Sequence, residues 1–239
     1  MTQLNRLLFL GALLSAITAS AADSFEGKID LAMTGGKGHA QTLTYAIMGH
    51  SLRIDLHGAP VSTIMDVSKH EMLLLMHEQR LYMSRPLPPA DIARPEGDGR
   101  LEHIPDIEET GRAEVICGYT CRQFLVRDGK HITEMWLAEG LAPFIGLGGN
   151  GSMGSGGGGF LGRKKGNSEA AQKWEQALKG KGGFPLRVIT RDATGKETFK
   201  MEATKVEKGG VSPADFVAPE GYQKFEMPDL GGLNPFKRG

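Results

Sequence analysis

The side chains capable of chemistry are few, and their spacing is poor for it. Two cysteines are present, Cys117 and Cys121, four positions apart in a stretch that reads as strand and turn. On an extended chain their Cα atoms would stand roughly 13 Å apart, whereas a disulfide accepts about 4.4–6.8 Å. A bridge therefore requires Gly118-Tyr119-Thr120 to turn, which Gly118 permits. Closing so small a loop would contribute only about 2 kcal/mol. The structural bridge is the reading taken forward. Inert half-buried thiols are one alternative and a redox pair is the other. Redox pairs are usually spaced Cys-x-x-Cys at a helix N-terminus, where the dipole lowers the thiol pKa, and no helical pattern follows Cys121.

Metal chemistry has a candidate group in a chain with 7 histidines and 11 methionines. His70, Met72, Met76, His77 and Met83 are the soft ligand types that copper takes. Met72 and Met76 share a strand face, but they lie about 13 Å apart on an extended chain. The methionines are accordingly read as core filling, and no metal ligands are assigned. His39, His50, His57, His103 and His131 are scattered and mostly flank turns.

Nucleophilic catalysis lacks a G-x-S-x-G elbow. Ser51, Ser62, Ser68 and Ser84 fall at strand ends or in turns. The neighbouring carboxylates Glu108 and Glu109 would point to opposite faces of a strand, which is wrong for a shared acid–base site. The glycine tract does not reach the G-x-x-x-x-G-K-[ST] spacing of a phosphate loop, so no cofactor is expected. The balance leans away from an enzyme.

The segments that would position these groups begin with an export signal. Arg6, the apolar run Leu7–Ile17 and the small residues up to Ala22 have the form of a cleavable signal peptide over residues 1–22. The run is too short to span a bilayer, which takes about 20 residues, and no transmembrane anchor is expected. Cleavage removes one basic residue from a chain of formal charge zero. Neutrality without a basic run argues against nucleic acid. The expected location is the periplasm, an oxidising compartment that favours bridged cysteines.

Residues 23–228 then read as one β-rich domain. Phe25, Ile29, Leu31 and Met33 alternate as one face of a strand. In Gln41–His57 a two-residue Gly49-His50 turn suits type II′, and it pairs Ile47 with Leu52, Tyr45 with Ile54 and Leu43 with Leu56. Val61–Val67, Glu71–Met76 and Arg80–Met83 continue a meander. Met72–Met76 is apolar on both faces, so it must be covered twice or line something apolar. Pro86–Pro105, with five prolines, reads as an extended connection. An Asp128-Gly129 turn of type I′ would pair Leu125 with Ile132 and Phe124 with Thr133, placing Cys121 opposite Trp136. Neither face of that hairpin is clean, which implies that the middle of the sheet is buried from both sides.

A glycine-rich loop occupies 146–162, within the glycine-dominated stretch Gly140–Gly162. Asn167-Ser168 caps the main helix, which runs to about Lys179 with Trp174 on its apolar face. Strands follow at Phe184–Arg191 and Glu197–Val206, then a one-turn helix from Ser212-Pro213 to Phe216, and a loose tail at 229–239. The expected fold is mainly β, with about eleven antiparallel strands and one main helix. It would form a strongly curved half-barrel or a sandwich.

The pattern Gly111, Gly118-Tyr119, Cys121, Phe124, Val126, followed by Glu134-Met135-Trp136, resembles an uncharacterised bacterial family of exported proteins with a domain of unknown function. Phe184-Pro185-Leu186 and Phe216, Pro219, Gly221 and Tyr222 match it as well, so the resemblance covers roughly Phe25–Pro228. It implies no activity. Its outline is similar to the Lol-type lipoprotein-carrier half-barrels, which implies a concave sheet that holds acyl chains. Cys117 and the glycine tract depart from the family pattern, so the resemblance does not carry the bridge.

One short helix cannot cover so many apolar strands, and two arrangements follow. Either a concave face stays partly open to a lipid, another apolar ligand or an envelope protein, or the sheet folds on itself and leaves no cavity. The candidate apolar face comprises Leu43, Tyr45, Ile54, Leu74, Met76, Phe124, Val126, Met135 and Trp136. A thiol-redox or metal-binding protein is one alternative function, and a purely structural or interaction module is another.

Overall fold

The computed structural model describes residues 25–35, 39–87, 106–128, 131–141, 144 and 183–226. The export signal, the glycine-rich loop, the helix expected at 168–179 and the tail at 229–239 lie outside the described residues.

The described chain forms one twelve-stranded sheet. Its strands are β1 (Gly27–Gly35), β2 (His39–Met48), β3 (Ser51–Leu56), β4 (Val61–Asp66), β5 (Glu71–Met76), β6 (Leu81–Pro86), β7 (Asp106–Ile116), β8 (Tyr119–Asp128), β9 (His131–Ala138), β10 (Phe184–Asp192), β11 (Glu197–Lys208) and β12 (Gln223–Lys224). The spatial order is β12-β6-β5-β4-β3-β2-β1-β11-β10-β9-β8-β7, so the sheet is open, with β12 and β7 at its ends. Every pairing is antiparallel except that of β12 with β6. One single-turn 3-10 helix, Pro213–Phe216, is the only helix among the described residues. It follows Ser212, whose N–H and hydroxyl both donate to the Asp215 carboxylate. The strand missed by the sequence reading is β12, whose two residues are too few to show any period.

Turn chemistry explains most of the ladder. Gly49 has φ 56° while His50 is not left-handed, the pattern of a II′ turn. The resulting register of Leu43 with Leu56, Tyr45 with Ile54 and Ile47 with Leu52 is the expected one. The β4–β5 and β5–β6 loops each end in a left-handed residue, His70 at φ 51° and Arg80 at φ 52°. The β8–β9 hairpin differs from expectation. Asp128 pairs with His131, Phe124 with Met135 and Cys121 with Ala138, so the ladder is displaced by two positions. Because side chains alternate with a period of two, this shift leaves every residue on its expected face, and alternation could not choose between the two registers.

Most of the main core lies on one face of the sheet, called the inner face below. It joins Ile29, Leu31 and Met33 of β1 to Leu43, Tyr45 and Ile47 of β2, and reaches Phe124, Val126 and Met135 on the far strands. Burying each such side chain contributes about 1.5–3 kcal/mol. A smaller cluster on the outer face packs Ala46, Ile64 and Leu75 against Phe216. The chain from Val211 to Tyr222 thereby covers the outer face of β5, as its doubly apolar sequence requires. The expectation that these strands form the middle of the sheet is corrected. β5 and the β8–β9 pair lie toward opposite ends, and β2 and β1 are central.

Candidate functional site

Residues directly opposite on antiparallel strands share a face. Leu52, Met65 and Met72 form one such row, and Leu52 and Met65 belong to the main core, so this is the inner face. The next rows on that face run Ile54, Thr63, Leu74, Met83 and then Val61, Met76, Leu81. Leu74, Met76, Leu81, Met83 and Val61 are all only half-buried. Among the described residues they join neither hydrophobic cluster. The inner face thus has two parts, a filled centre and an apolar strip over β4, β5 and β6 that its own neighbours leave partly bare.

The nine expected apolar positions divide along that line. Leu43, Tyr45, Ile54, Phe124, Val126, Met135 and Trp136 are buried in the main core. The Tyr45 ring lies edge-on to Phe184 at 5.5 Å, with Phe144 tilted against Tyr45 and edge-on to Phe184. Leu74 and Met76 are the two that remain accessible, and Leu81 and Met83 extend them. Their signal was present in the sequence as the apolar alternation of β6, but that alternation does not tell a covered face from an open one.

Trp136 stands apart from the other candidates. It shares a row with Gln123 and Arg187 on the outer face. The Arg187 guanidinium lies 6.0 Å from the Trp136 ring centre. Arg187 also bonds Glu202 at 2.7 Å and, across two intervening strands, Glu114 at 2.8 Å. Burial by itself would raise the Glu202 carboxyl, but hydrogen bonds and charge from Lys200 and Arg187 hold it below its ordinary 4.5. The cation therefore ties β7, β10 and β11 together over the tryptophan.

The expected bridge between Cys117 and Cys121 is not formed in the structure, and both are free thiols. Cys117 sits in the β7–β8 turn at φ 49°, followed by Gly118 at φ 85°. Ile116 pairs with Tyr119 directly across it, and Glu114 with Cys121. The residue opposite Cys121 is thus Glu114, three positions before Cys117. The Cys117 thiol donates to the Ala203 carbonyl at 3.4 Å and Cys121 to Tyr119 at 3.5 Å. Burial pushes the Cys117 thiol up and the Cys121 thiol up to about 11. A redox thiol needs the opposite shift.

A polar chain that the sequence did not reveal lies on the outer face of β3–β5. The Ser62 hydroxyl, 2 % exposed, donates to the Asp55 carboxylate. Its oxygen lies 2.6 Å from His77 Nε2, and His77 Nδ1 lies 2.7 Å from the Tyr222 hydroxyl. Since Ser62 gives its single proton to Asp55, Nε2 must donate to Ser62, and in a neutral ring Nδ1 then accepts from Tyr222. A catalytic triad orders these groups differently, with the carboxylate behind the histidine and the serine donating to it. This chain instead ties Tyr222 to the sheet, and Arg53 adds a bond to the Asp215 carbonyl at 3.0 Å. No group of three His, Cys, Asp or Glu side chains among the described residues could hold a metal ion. No described helix is long and apolar enough to cross a membrane.

Several solved structures align with this chain. An uncharacterised conserved protein from Thermus thermophilus aligns at 10% identity over 84% of this chain and 90% of that one, with a TM-score of 0.45. MucB in the MucA/MucB complex of Pseudomonas aeruginosa aligns at 12% identity over 81% and 55%, with a TM-score of 0.43. A LolA superfamily protein from Nitrosomonas europaea aligns at 10% identity over 82% and 91%, with a TM-score of 0.30. At TM-scores this low the likenesses are loose, and no residue role passes from them to this chain. No curated protein matches the sequence. The family model described as "Domain of unknown function (DUF4412)" matches residues 25–222, and the chain belongs to that family.

Proposed function

We propose that this is an exported, periplasmic, non-enzymatic protein that holds an apolar ligand on the inner face of β4–β6. The observation that carries the reading is the strip of Val61, Leu74, Met76, Leu81 and Met83, half-buried on the inner face and outside both clusters among the described residues. Methionine is unbranched and polarizable, so Met76 and Met83 suit a flexible partner such as an acyl chain better than one rigid shape. A concave sheet fits this use. Tyr45 on β2 and Phe184 on β10 are separated by two strands, about 14 Å of sheet, yet their rings lie 5.5 Å apart. Curvature around the filled centre would bring the strip to one mouth of the concavity. The raised thiols and the order of the Ser62–His77 chain favour binding over redox or nucleophilic chemistry.

The test is purification of the mature protein from its own periplasm without detergent, followed by solvent extraction and lipid analysis, with uptake of an environment-sensitive fluorophore by the stripped protein. Co-extracted lipid and saturable dye binding are expected. A clean extract together with no dye uptake would remove the apolar-ligand reading. A co-purifying polypeptide with no lipid would assign the strip to an envelope protein instead.

A further inference from the structure

A second site lies at the opposite end of the sheet and does not depend on the apolar strip. In β7 the register jumps between Glu109, opposite Phe124, and Ala113, opposite Arg122. Thr110, Gly111 and Arg112 thus bulge out against Gln123, and Gly111 takes φ 74° to allow it. The bulge is built rather than slack. Thr110 accepts the Arg112 N–H at 3.2 Å and donates to the Gln123 amide oxygen at 2.9 Å. Gln123, only 4 % exposed, donates from its amide nitrogen to Glu134 at 3.2 Å.

Beside the bulge is an open groove of about 340 Å³ lined by Glu108, Thr110, Arg112, Gln123, Leu125 and Glu134. Its carboxylates are already neutralised, Glu108 by Arg127 at 3.2 Å and Glu134 by Arg191. Among the described residues Arg112 is the one charged group of the lining whose side chain meets no opposite charge. Along the same groove runs the outer edge of β7, an eleven-residue strand with a partner on one side only among the described residues.

Bulges and charges on an edge strand are commonly a defence against unwanted pairing. Defence alone does not require a buried glutamine to brace the bulge from beneath, nor a groove whose acids are cancelled. We infer that the β7 edge receives an extended peptide segment of a partner protein, added as a further strand, with an acidic side chain seated on Arg112. Main-chain bonds to the edge would supply general affinity, and the groove would select the side chain. A carboxylate facing the exposed Arg112 guanidinium would form a charge-assisted, two-pronged bond.

The probe is a nine-residue peptide alternating threonine and valine around one central glutamate, compared with versions carrying glutamine or lysine at the centre. Binding to the full mature chain is read by fluorescence anisotropy and by hydrogen exchange of the β7 amides that β8 does not engage. The glutamate peptide is expected to bind at least tenfold tighter than the other two and to slow exchange along β7. Arg112→Glu, at an exposed position, is expected to reverse the preference toward the lysine peptide with the fold intact. Equal binding of all three peptides, absence of binding, or β7 amides already protected in the free protein would each overturn the inference.

Discussion

The Tyr222 hydroxyl lies 2.7 Å from His77 Nδ1, joining residues 145 positions apart. With Phe216 packed on Ala46, Ile64 and Leu75, this bond fixes the closing segment of the domain over the outer face of β4–β6. Tyr222→Phe is expected to cost about 1 kcal/mol, and Phe216→Ala about 3 kcal/mol through the cavity it leaves. Urea unfolding measures both. Hydrogen exchange separates their origin, since the Gln223 and Phe225 amides, bonded to Arg80 and Tyr82, should exchange faster in Tyr222→Phe while those of β1 do not. Uniform acceleration would mean that the bond serves global stability and not the local hold on this segment.

A backbone contact sets the next expectation. A Cβ added at Gly27 would stand 2.0 Å from the Glu207 carbonyl oxygen, on the strand paired with β1. Neither atom is the free end of a side chain, so the strands must part. Gly27→Ala is expected to cost about 2 kcal/mol or more, while Lys28→Ala next to it should be nearly neutral. Denaturation midpoints of the two variants decide the point, and equal midpoints would contradict the close approach.

The thiols respond to pH in a defined sense. Burial lifts Cys121 from 9.0 to about 11. A folded-state pKa above the unfolded one contributes stability that is complete below pH 9 and is lost as pH rises toward 11. Cys121→Ala should flatten that decline, measured as unfolding midpoints between pH 8 and pH 11. At pH 8 Cys117, exposed in its turn, should alkylate in the native protein, and Cys121 only after unfolding. A protein with no titratable thiol before reduction would restore the bridge that the free thiols of the structure lack.

Glu202 works in the opposite direction. Its carboxyl is held below 4.5 by Lys200 and Arg187 against the effect of burial, so the stability it lends is present above its unfolded pKa and lost as pH falls through the folded one. Arg187→Met removes one of its two cationic partners and the cation over Trp136. The variant should be less stable at neutral pH, lose less stability on acidification, and shift the tryptophan emission. An unchanged acid limb would show that Lys200 alone holds the carboxylate.

Particular residues show how far the sequence could be read. Gly49 at the first position of a two-residue turn marked the β2–β3 register, because a glycine there suits the primed turns and the apolar alternation agreed with that loop. In β8–β9 glycine suited either of two turn positions, and a two-residue slip changes no face, so Cys121 was paired with Trp136 instead of Ala138. The Asp55–Ser62–His77–Tyr222 chain was out of reach for a different reason. Its members meet only after β3, β4 and β5 align and the segment ending at Tyr222 returns, and strand order is a tertiary fact with no local pattern. Within the candidate apolar set Leu43, Tyr45 and Leu74 lie on the inner face, whereas Trp136 lies on the outer one. Which part of the inner face is filled was not legible, because filling depends on residues from β8 to β10 arriving over the same ground.

That division between filled and open positions makes the last prediction. Leu43 is fully buried in the main core, while Leu74 is half-buried on the strip and outside both clusters among the described residues. Leu43→Ala should therefore cost about 3 kcal/mol and leave dye or lipid uptake intact wherever the protein remains folded. Leu74→Asp should cost at most about 1 kcal/mol, because a partly exposed carboxylate keeps much of its water. It should still abolish uptake, since a charge in the strip must be desolvated by any apolar ligand that covers it. Met83→Asp, facing Leu74 across the ladder, should behave like Leu74→Asp, whereas Leu73→Asp on the opposite face should lower stability through the cluster beneath Phe216. If uptake instead followed stability across all four variants, the dye would be reporting partial unfolding, and the strip would be an incompletely covered margin of the core.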